Sequence, residues 1–456
     1  MFILKKPTVL LIAFTLSACN LAQKHSSPSI ALPTHWQNLT DETNTKLNAD
    51  WWQAFGSTEL NTLIRTALRN NYDLSAAQQR IQQAKAQSQI AAAPLLPAVS
   101  ATGSITDTRY DDDNGQKKGG LIDVAYEVDL WGANRAARDK GLANLNNEQF
   151  SRAALSLSIM AQVAQNYFTV LALIEQQRII KNFIENLNET LIIAQARLRA
   201  GAINQIEVAQ QESELANAKA SLELLKQQRI TTENALAILL AKSPQLIIQQ
   251  PDAYATLAIP DPKAEQPASL LERRPDIRAS EMAIIAAETD VTRAKAAFYP
   301  SLKLSLEPLF TSAPPASFVM TMAASLAQPL FQGGRLEGQL SQSQAITLEL
   351  IENYKQNLIT ALREVEDAAA TKRHSQARLA NLNDAVDAAA RAYELSDQRY
   401  RVGLIDYQTL LNTQRSWLTS ENNRVQAKLT VLTALVQLYK ALGGGWEGEI
   451  TESSKH

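Results

Sequence analysis

The chain repeats itself at a distance of roughly two hundred residues, and that repeat restricts its fold more than any other feature. Arg197-Leu198-Arg199-Ala200-Gly201-Ala202-Ile203 returns as Arg399-Tyr400-Arg401-Val402-Gly403-Leu404-Ile405. Ala93-Pro94-Leu95-Leu96-Pro97 returns as Ala296-Ala297-Phe298-Tyr299-Pro300. Looser matches pair Asp129-Leu130-Trp131-Gly132 with Gln328-Pro329-Leu330-Phe331, and Leu68 to Leu74 with Arg273 to Ile277 around Asp73 and Asp276. Solenoid units run about 20–50 residues, so a period this long is too large for one. Two copies of one sizeable unit therefore build a pseudo-symmetric body.

Composition narrows the partners. With 44 basic and 46 acidic residues the charge is nearly balanced, so no polyanion such as nucleic acid is implied. Aromatics make up only 6%, which suits long helices better than a compact globular core. No proline stands between Pro97 and Pro244 or after Pro329, and in those windows a helix can run unbroken. The N-terminus reads as a secretory signal: Lys5 and Lys6, then the apolar Val9 to Leu16, too short to span a bilayer. It ends in Leu16-Ser17-Ala18-Cys19, which resembles the bacterial lipobox, whose cysteine becomes the lipidated first residue. The alternative is an ordinary cleavage site with an incidental cysteine. Cys19 is the only cysteine, so no disulfide framework competes for it. In such lipoproteins an aspartate after the cysteine retains the protein at the inner membrane; Asn20 stands there and points to the outer membrane.

Residues 20 to 50 read as an extended tether. Trp51-Trp52 precede Ser57-Thr58, candidate caps of a helix carrying Leu60, Leu63, Ile64 and Ala67 that continues with interruptions to about Ala92. The period then changes. Ile122, Val124, Tyr126, Val128 and Leu130 alternate with Asp123, Ala125, Glu127 and Asp129, a strand with one greasy and one acidic face. Val99 to Arg109 is a weaker strand, with a hydrophilic loop from Asp111 to Gly120 between them. The second copy repeats the device: Leu302, Leu304 and Leu306, the turn Ala313-Pro314-Pro315, then Phe318, Met320, Met322, Ala324 and Leu326. Strands of about 9–11 residues can cross a bilayer at a tilt, and they can equally be half-buried hairpins of a soluble protein. The lipobox favours the bilayer. Four strands cannot close a lipid-exposed barrel, so closure would have to come from oligomerisation.

Long helices follow each hairpin. Ile184, Leu187, Leu191, Ala194 and Leu198 recur at spacings of three and four, as do Val425, Leu429, Leu432, Val436 and Tyr439. A helix from about Asn146 to Arg199 would be roughly 80 Å long. It breaks at Gly201, and its partner breaks at Gly403, the tips of two helical hairpins. Pro244 to Pro267 reads as an irregular connector with one short strand at most.

The segment Trp51-Trp52…Phe55…Leu60…Leu63-Ile64…Ala67-Leu68…Asn71…Asp73-Leu74 resembles the opening segment of the outer-membrane efflux channels related to TolC. Glu272-Arg273-Arg274-Pro275-Asp276-Ile277, Asp129-Leu130-Trp131-Gly132 and Pro329-Leu330-Phe331-Gln332-Gly333-Gly334-Arg335 are similar to motifs of their NodT-type lipoprotein branch. The resemblance covers essentially the whole mature chain. It implies a mostly α fold with β: a homotrimer whose chains each give four strands to a 12-stranded barrel, above a long helical periplasmic tunnel and a mixed equatorial region. It also implies partners, a periplasmic adaptor and an inner-membrane resistance-nodulation-division pump, with outer-membrane lipid around the barrel.

On this reading the chain divides into a signal peptide (1–18), a lipidated tether (19–50), a first repeat (51–243), a connector (244–268), a second repeat (269–445) and a tail (446–456). No enzyme constellation and no cofactor motif is present, and His25, His35, His374 and His456 lack metal-ligand spacing. Arg273-Arg274-Pro275-Asp276 reads as a helix start. In related channels a carboxylate and a bulky residue just beyond the second tip narrow the lumen. Those positions here are Gln408 and Asn412, with Asp406 one turn away; the alternative is a solvated helix surface. Arg197, Gly201, Arg399 and Gly403 are the expected adaptor-docking tips, though the same residues serve plain turn chemistry. Asp123, Glu127 and Asp129 are expected to line the barrel lumen. The leading function is a passive exit duct for drugs or other small solutes. A type I protein-secretion duct shares the fold, and a structural coiled-coil lipoprotein would leave both amphipathic hairpins unexplained.

Overall fold

The computed structural model describes residues 25, 28, 30–39, 49–110, 113–244, 254–262, 266–311, 317–444 and 446. The signal segment, Cys19, the turn Ala313-Pro314-Pro315 and the tail after 446 lie outside the described residues.

Ser57 begins the regular part of the chain. Its Oγ accepts the N–H of Leu60 (2.9 Å) and donates to the Tyr167 hydroxyl (3.0 Å), which satisfies an end group of helix α1 (Thr58–Asn70). Asn71 repeats the device: its Oδ1 accepts from Asp73 (2.9 Å) and Leu74 (3.1 Å) and starts α2 (Tyr72–Ala92). Trp51, Trp52 and Phe55 occupy a 3-10 turn ahead of α1, and Trp51 stacks on Tyr439 with 5.2 Å between ring centres. This aromatic group sits in the main apolar core with Ile64, Phe168 and Leu435.

Pro94 and Pro97 end α2, and the chain becomes extended. Strands β1 (Ala98–Tyr110), β2 (Asp113–Val128), β3 (Ser301–Thr311) and β4 (Ser317–Ala327) form one antiparallel sheet in the order β1-β2-β3-β4. Its register sorts side chains into two faces. Val128, Leu302 and Leu326 lie in one row, and Val124, Leu306 and Met322 in another, while the Phe310 and Phe318 rings meet at a tilt with centres 4.7 Å apart. The opposite face carries Asp123 and pairs Glu127 with Lys303. The first hairpin loop is shorter than the sequence predicts, because Asn114, Gly115, Gly119 and Gly120 belong to β2. A Cβ at Gly119 would lie 3.0 Å from Ser104 Oγ, so this glycine marks close strand approach and not a turn.

Each hairpin leads into a very long helix. Helix α3 (Ala133–Arg199) has 67 residues and α7 (Arg335–Arg401) has 67; α4 (Gln205–Leu239) has 35 and α8 (Tyr407–Ala441) has 35. Between them lie the short α5 (Leu270–Arg273) and α6 (Pro275–Ala296), which starts at Pro275-Asp276 as expected. Helix α3 begins thirteen residues earlier than predicted, directly after the hairpin. The four long helices obey one offset: Arg335 stands 202 positions after Ala133, and Tyr407 stands 202 after Gln205. That offset pairs Gly132 with Gly334, correcting the looser motif match, which set Gly132 against Phe331.

Among the described connector residues only 3-10 turns occur, at Tyr254–Thr256 and Pro267–Ser269, and no strand. The expected tether is not free where it is described. His25 Nδ1 is 2.9 Å from Glu288 Oε2, the backbone N–H groups of Gln37 and Asn38 donate to the Glu366 carboxylate, and Trp36 is buried. The chain folds into two compact units, and neither coincides with a repeat. One contains residues 1–30, 77–151 and 276–357 with the sheet; the other contains 31–76, 152–275 and 358–456 with both helical tips.

Candidate functional site: the paired helical tips

Both tips end in the same backbone motif. At the end of α3, Gly201 N–H donates to Leu198 O (2.9 Å) and Ala202 N–H to Arg197 O (2.9 Å). At the end of α7, Gly403 N–H donates to Tyr400 O (2.9 Å) and Leu404 N–H to Arg399 O (2.9 Å). These are Schellman caps, which require a left-handed residue; φ is +71° at Gly201 and +79° at Gly403. Asn204 then caps α4, and Asp406 caps α8 through its bond from Thr409 N–H (2.7 Å). Hydrogen bonds from the Thr409 side chain and backbone hold the Asp406 carboxyl below the usual carboxylate range. This aspartate is a helix cap as well as a gate candidate.

Side chains tie the two tips of one chain together. The Arg197 guanidinium donates to Tyr400 O (2.7 Å) and Arg401 O (2.8 Å) and lies 4.7 Å from the centre of the Tyr400 ring. It thus caps the negative end of α7 and adds a cation–π contact. Arg197 therefore ties the two tips of its own chain together and is half-buried, less exposed than the sequence suggests. Arg399, Gly201 and Gly403 are exposed. Arg401 pairs with Asp397 (2.7 Å) and Glu189 (3.5 Å). Deeper in, buried Gln211 donates to Leu187 O (2.6 Å) and accepts from the Tyr407 hydroxyl, while Arg415 engages Glu214. Burial pushes the pKa of Tyr407 up, so its hydroxyl stays a donor. The sequence reading missed Gln211, Glu214, Tyr407 and Arg415. Their signal lies outside the matching segments, where the two repeats differ.

The gate candidates lie on the first two turns of α8. Gln408 and Asn412 are both exposed, and Gln408 Nε2 donates to Asn412 Oδ1 across one helical turn (3.2 Å). The three lumen candidates separate. Asp123 and Glu127 share the polar face of the sheet, and Glu127 lies 3.8 Å from Lys303 Nζ. Asp129 lies beyond β2; its carboxylate accepts from the N–H groups of Asn134 (3.0 Å) and Arg135 (2.9 Å) and pairs with the Arg135 side chain. Asp129 is a cap of α3, not a strand residue, because the helix starts so close behind the hairpin.

The comparisons with known proteins converge. The family model described as "Outer membrane efflux protein" matches residues 63–242 and 267–444, one segment per repeat. The pyoverdine export outer membrane protein OpmQ of Pseudomonas aeruginosa is 35% identical over 453 residues, which cover 95% of this chain and 95% of that protein. The toluene efflux pump outer membrane protein TtgC of Pseudomonas putida is 28% identical over 461 residues, covering 95% and 94%. Among solved structures, the CmeC outer membrane channel of Campylobacter jejuni superimposes with a TM-score of 0.86 at 25% identity, covering 94% of this chain and 96% of that one. Two matched repeats, a hairpin in each and long paired helices with glycine tips therefore place this chain in the outer membrane efflux protein family, as the outer-membrane channel of an efflux system.

Proposed function

We propose that three copies close one barrel and form a passive exit duct, fed by an inner-membrane pump through a periplasmic adaptor. The open edges of the sheet carry this reading. Among the described residues, strands β1 and β4 each have one unpaired side, and every residue of β4 is exposed, Phe318, Met320 and Met322 included. Hydrocarbon does not tolerate unpaired backbone groups, so β4 must pair with β1 of another copy. The up-down order of the four strands makes that junction antiparallel, and three copies give twelve strands. The apolar face of the sheet then meets lipid, and Asp123 and Glu127 keep the lumen wet.

The remaining assignments follow from position. Acylated Cys19 anchors the N-terminus, since two or more acyl chains make anchoring stable. Gly201, Arg399 and Gly403 present the surface that receives the adaptor, with Arg197 shaping it from behind. Gln408 and Asn412 line the constriction, which closes through amide hydrogen bonds without a ring of negative charge. Small solutes are the cargo class, and a siderophore such as the pyoverdine in the name of OpmQ is the first candidate. Planar-bilayer recording tests the duct: the purified protein conducts, and Asn412→Ala raises the conductance. A protein that carries no current contradicts the reading. A deletion strain profiled against siderophore, drugs and metals identifies the cargo.

A further inference from the structure

The alternation that gives the sheet a greasy and a polar face fails at one level, and it fails on three neighbouring strands together. Leu121-Ile122 on β2, Pro308-Leu309-Phe310 on β3 and Phe318-Val319-Met320 on β4 are apolar on both faces. The register brings their odd-numbered members into one row: Thr102 faces Leu121, Leu121 faces Leu309, and Leu309 faces Val319. Side chains two residues apart share a face, so this row lies on the polar face that carries Asp123 and Glu127. Leu309 and Val319 are 41% and 49% exposed. A face that only had to stay wet would carry polar side chains here, so the break in pattern marks a function.

The neighbouring row supplies charge. Leu121 faces Leu309 and Val124 faces Leu306, so Asp123 stands opposite Glu307. Like charges directly opposite each other destabilise a sheet, and neither carboxylate has a hydrogen-bond or ion-pair partner among the described residues. Glu127, nearer the helices, is matched by Lys303. Each residue rises about 3.4 Å along a strand, so the aliphatic and acidic rows lie roughly 7 Å apart. One solute with an apolar body and a cationic head spans that distance.

Building on the reading of this face as the barrel lumen, we propose that Leu121, Leu309 and Val319, with Asp123 and Glu307 beside them, form a contact site for cationic amphiphiles on the wall of the exit path. The apolar body lies on the aliphatic row, and the positive head sits between the two facing carboxylates and relieves their repulsion. All five residues belong to one chain. The aliphatic row stands on the hairpin side of the acidic row, so a departing solute meets it last. The wall holds such solutes longer than it holds anions or small polar cations, which gives the duct a selectivity of its own.

Block of the current through the full-length protein in a planar bilayer tests this with three probes. Tetraphenylphosphonium has an apolar body and a positive charge, tetramethylammonium has the charge alone, and naphthalene sulfonate has an apolar body with a negative charge. Tetraphenylphosphonium blocks at a concentration about tenfold below the other two. Leu121→Thr, Leu309→Thr and Val319→Thr together keep strand-forming side chains and weaken that block about tenfold. Asp123→Asn with Glu307→Gln weakens it about threefold. This pair changes charge at constant volume, so it reads the site even where the triple change does not assemble. Equal block by the three probes, or a block that either conducting variant leaves unchanged, overturns the site and leaves the duct standing. A wild-type protein that carries no current overturns the duct reading, and the site with it.

Discussion

The two tips have the same backbone and different side chains. Helix lengths, Schellman caps and left-handed glycines are held in common at Gly201 and Gly403. Tyr400, Tyr407 and Arg415 have counterparts of another kind in the first tip, and Glu189, Gln211 and Glu214 in the second, while Arg197 and Arg401 recur as Arg399 and Arg199 without these ties among the described residues. A duplicated chain keeps the pieces that determine shape in both copies, and can then give the two copies different side chains that complement each other. The helix ends farther along show the opposite trade. Helix α4 closes with Ala241 at φ +55° and α8 with Gly443 at φ +74°, in equivalent positions. A Cβ at Gly443 would lie 2.7 Å from Arg273 O. The second repeat needs its glycine there, whereas the first carries an alanine in a strained conformation.

That comparison breaks most sharply at Gly443. Gly443→Ala forces the Cβ against Arg273 O and adds left-handed strain, so it costs about 3 kcal/mol; a lower denaturation midpoint in detergent checks this. At the tips, Tyr407→Phe leaves the buried Gln211 Oε1 without its donor and costs about 1.5 kcal/mol. Gln205→Ala, an exposed change at the place in the first repeat equivalent to Tyr407, stays within about 0.5 kcal/mol by the same denaturation assay. Ala241→Gly removes the left-handed strain but adds freedom to the unfolded chain, for a net gain of about 0.5 kcal/mol. An unchanged or lower midpoint would show that the two helix ends are not equivalent.

The smallest effect concerns pH. The Asp406 carboxyl is depressed in the folded protein, so its cap contributes stability above the usual carboxylate range and loses it as pH falls through the depressed value. Amide exchange of the first turn of α8 therefore speeds up in acid. Asp406→Asn keeps a capping oxygen and flattens that dependence.

Periodicity made the long helices legible, because the 3-4 spacing of Ile184, Leu187, Leu191 and Ala194 has one physical reading, and Leu187 and Ala194 are indeed fully buried. The strand alternation from Ile122 to Val128 was equally plain. Glycine misled where two of its uses compete: Gly119 and Gly120 look like a turn but both lie in β2, and Gly119 serves strand approach. Asp129 misled because it ends an alternating run and caps the next helix, and only the distance between hairpin and helix decides which role it takes. The tip ties could not be read from one segment at a time. Gln211 and Tyr407 meet across 196 positions, and nothing local announces either of them.

The whole account depends on an open four-stranded sheet completed by further copies. Multi-angle light scattering on the lipidated protein in detergent, with the micelle mass subtracted, measures the number of chains directly. Three chains per particle is the expected result. One or two would leave sheet edges unpaired or close too small a ring, and would contradict the duct.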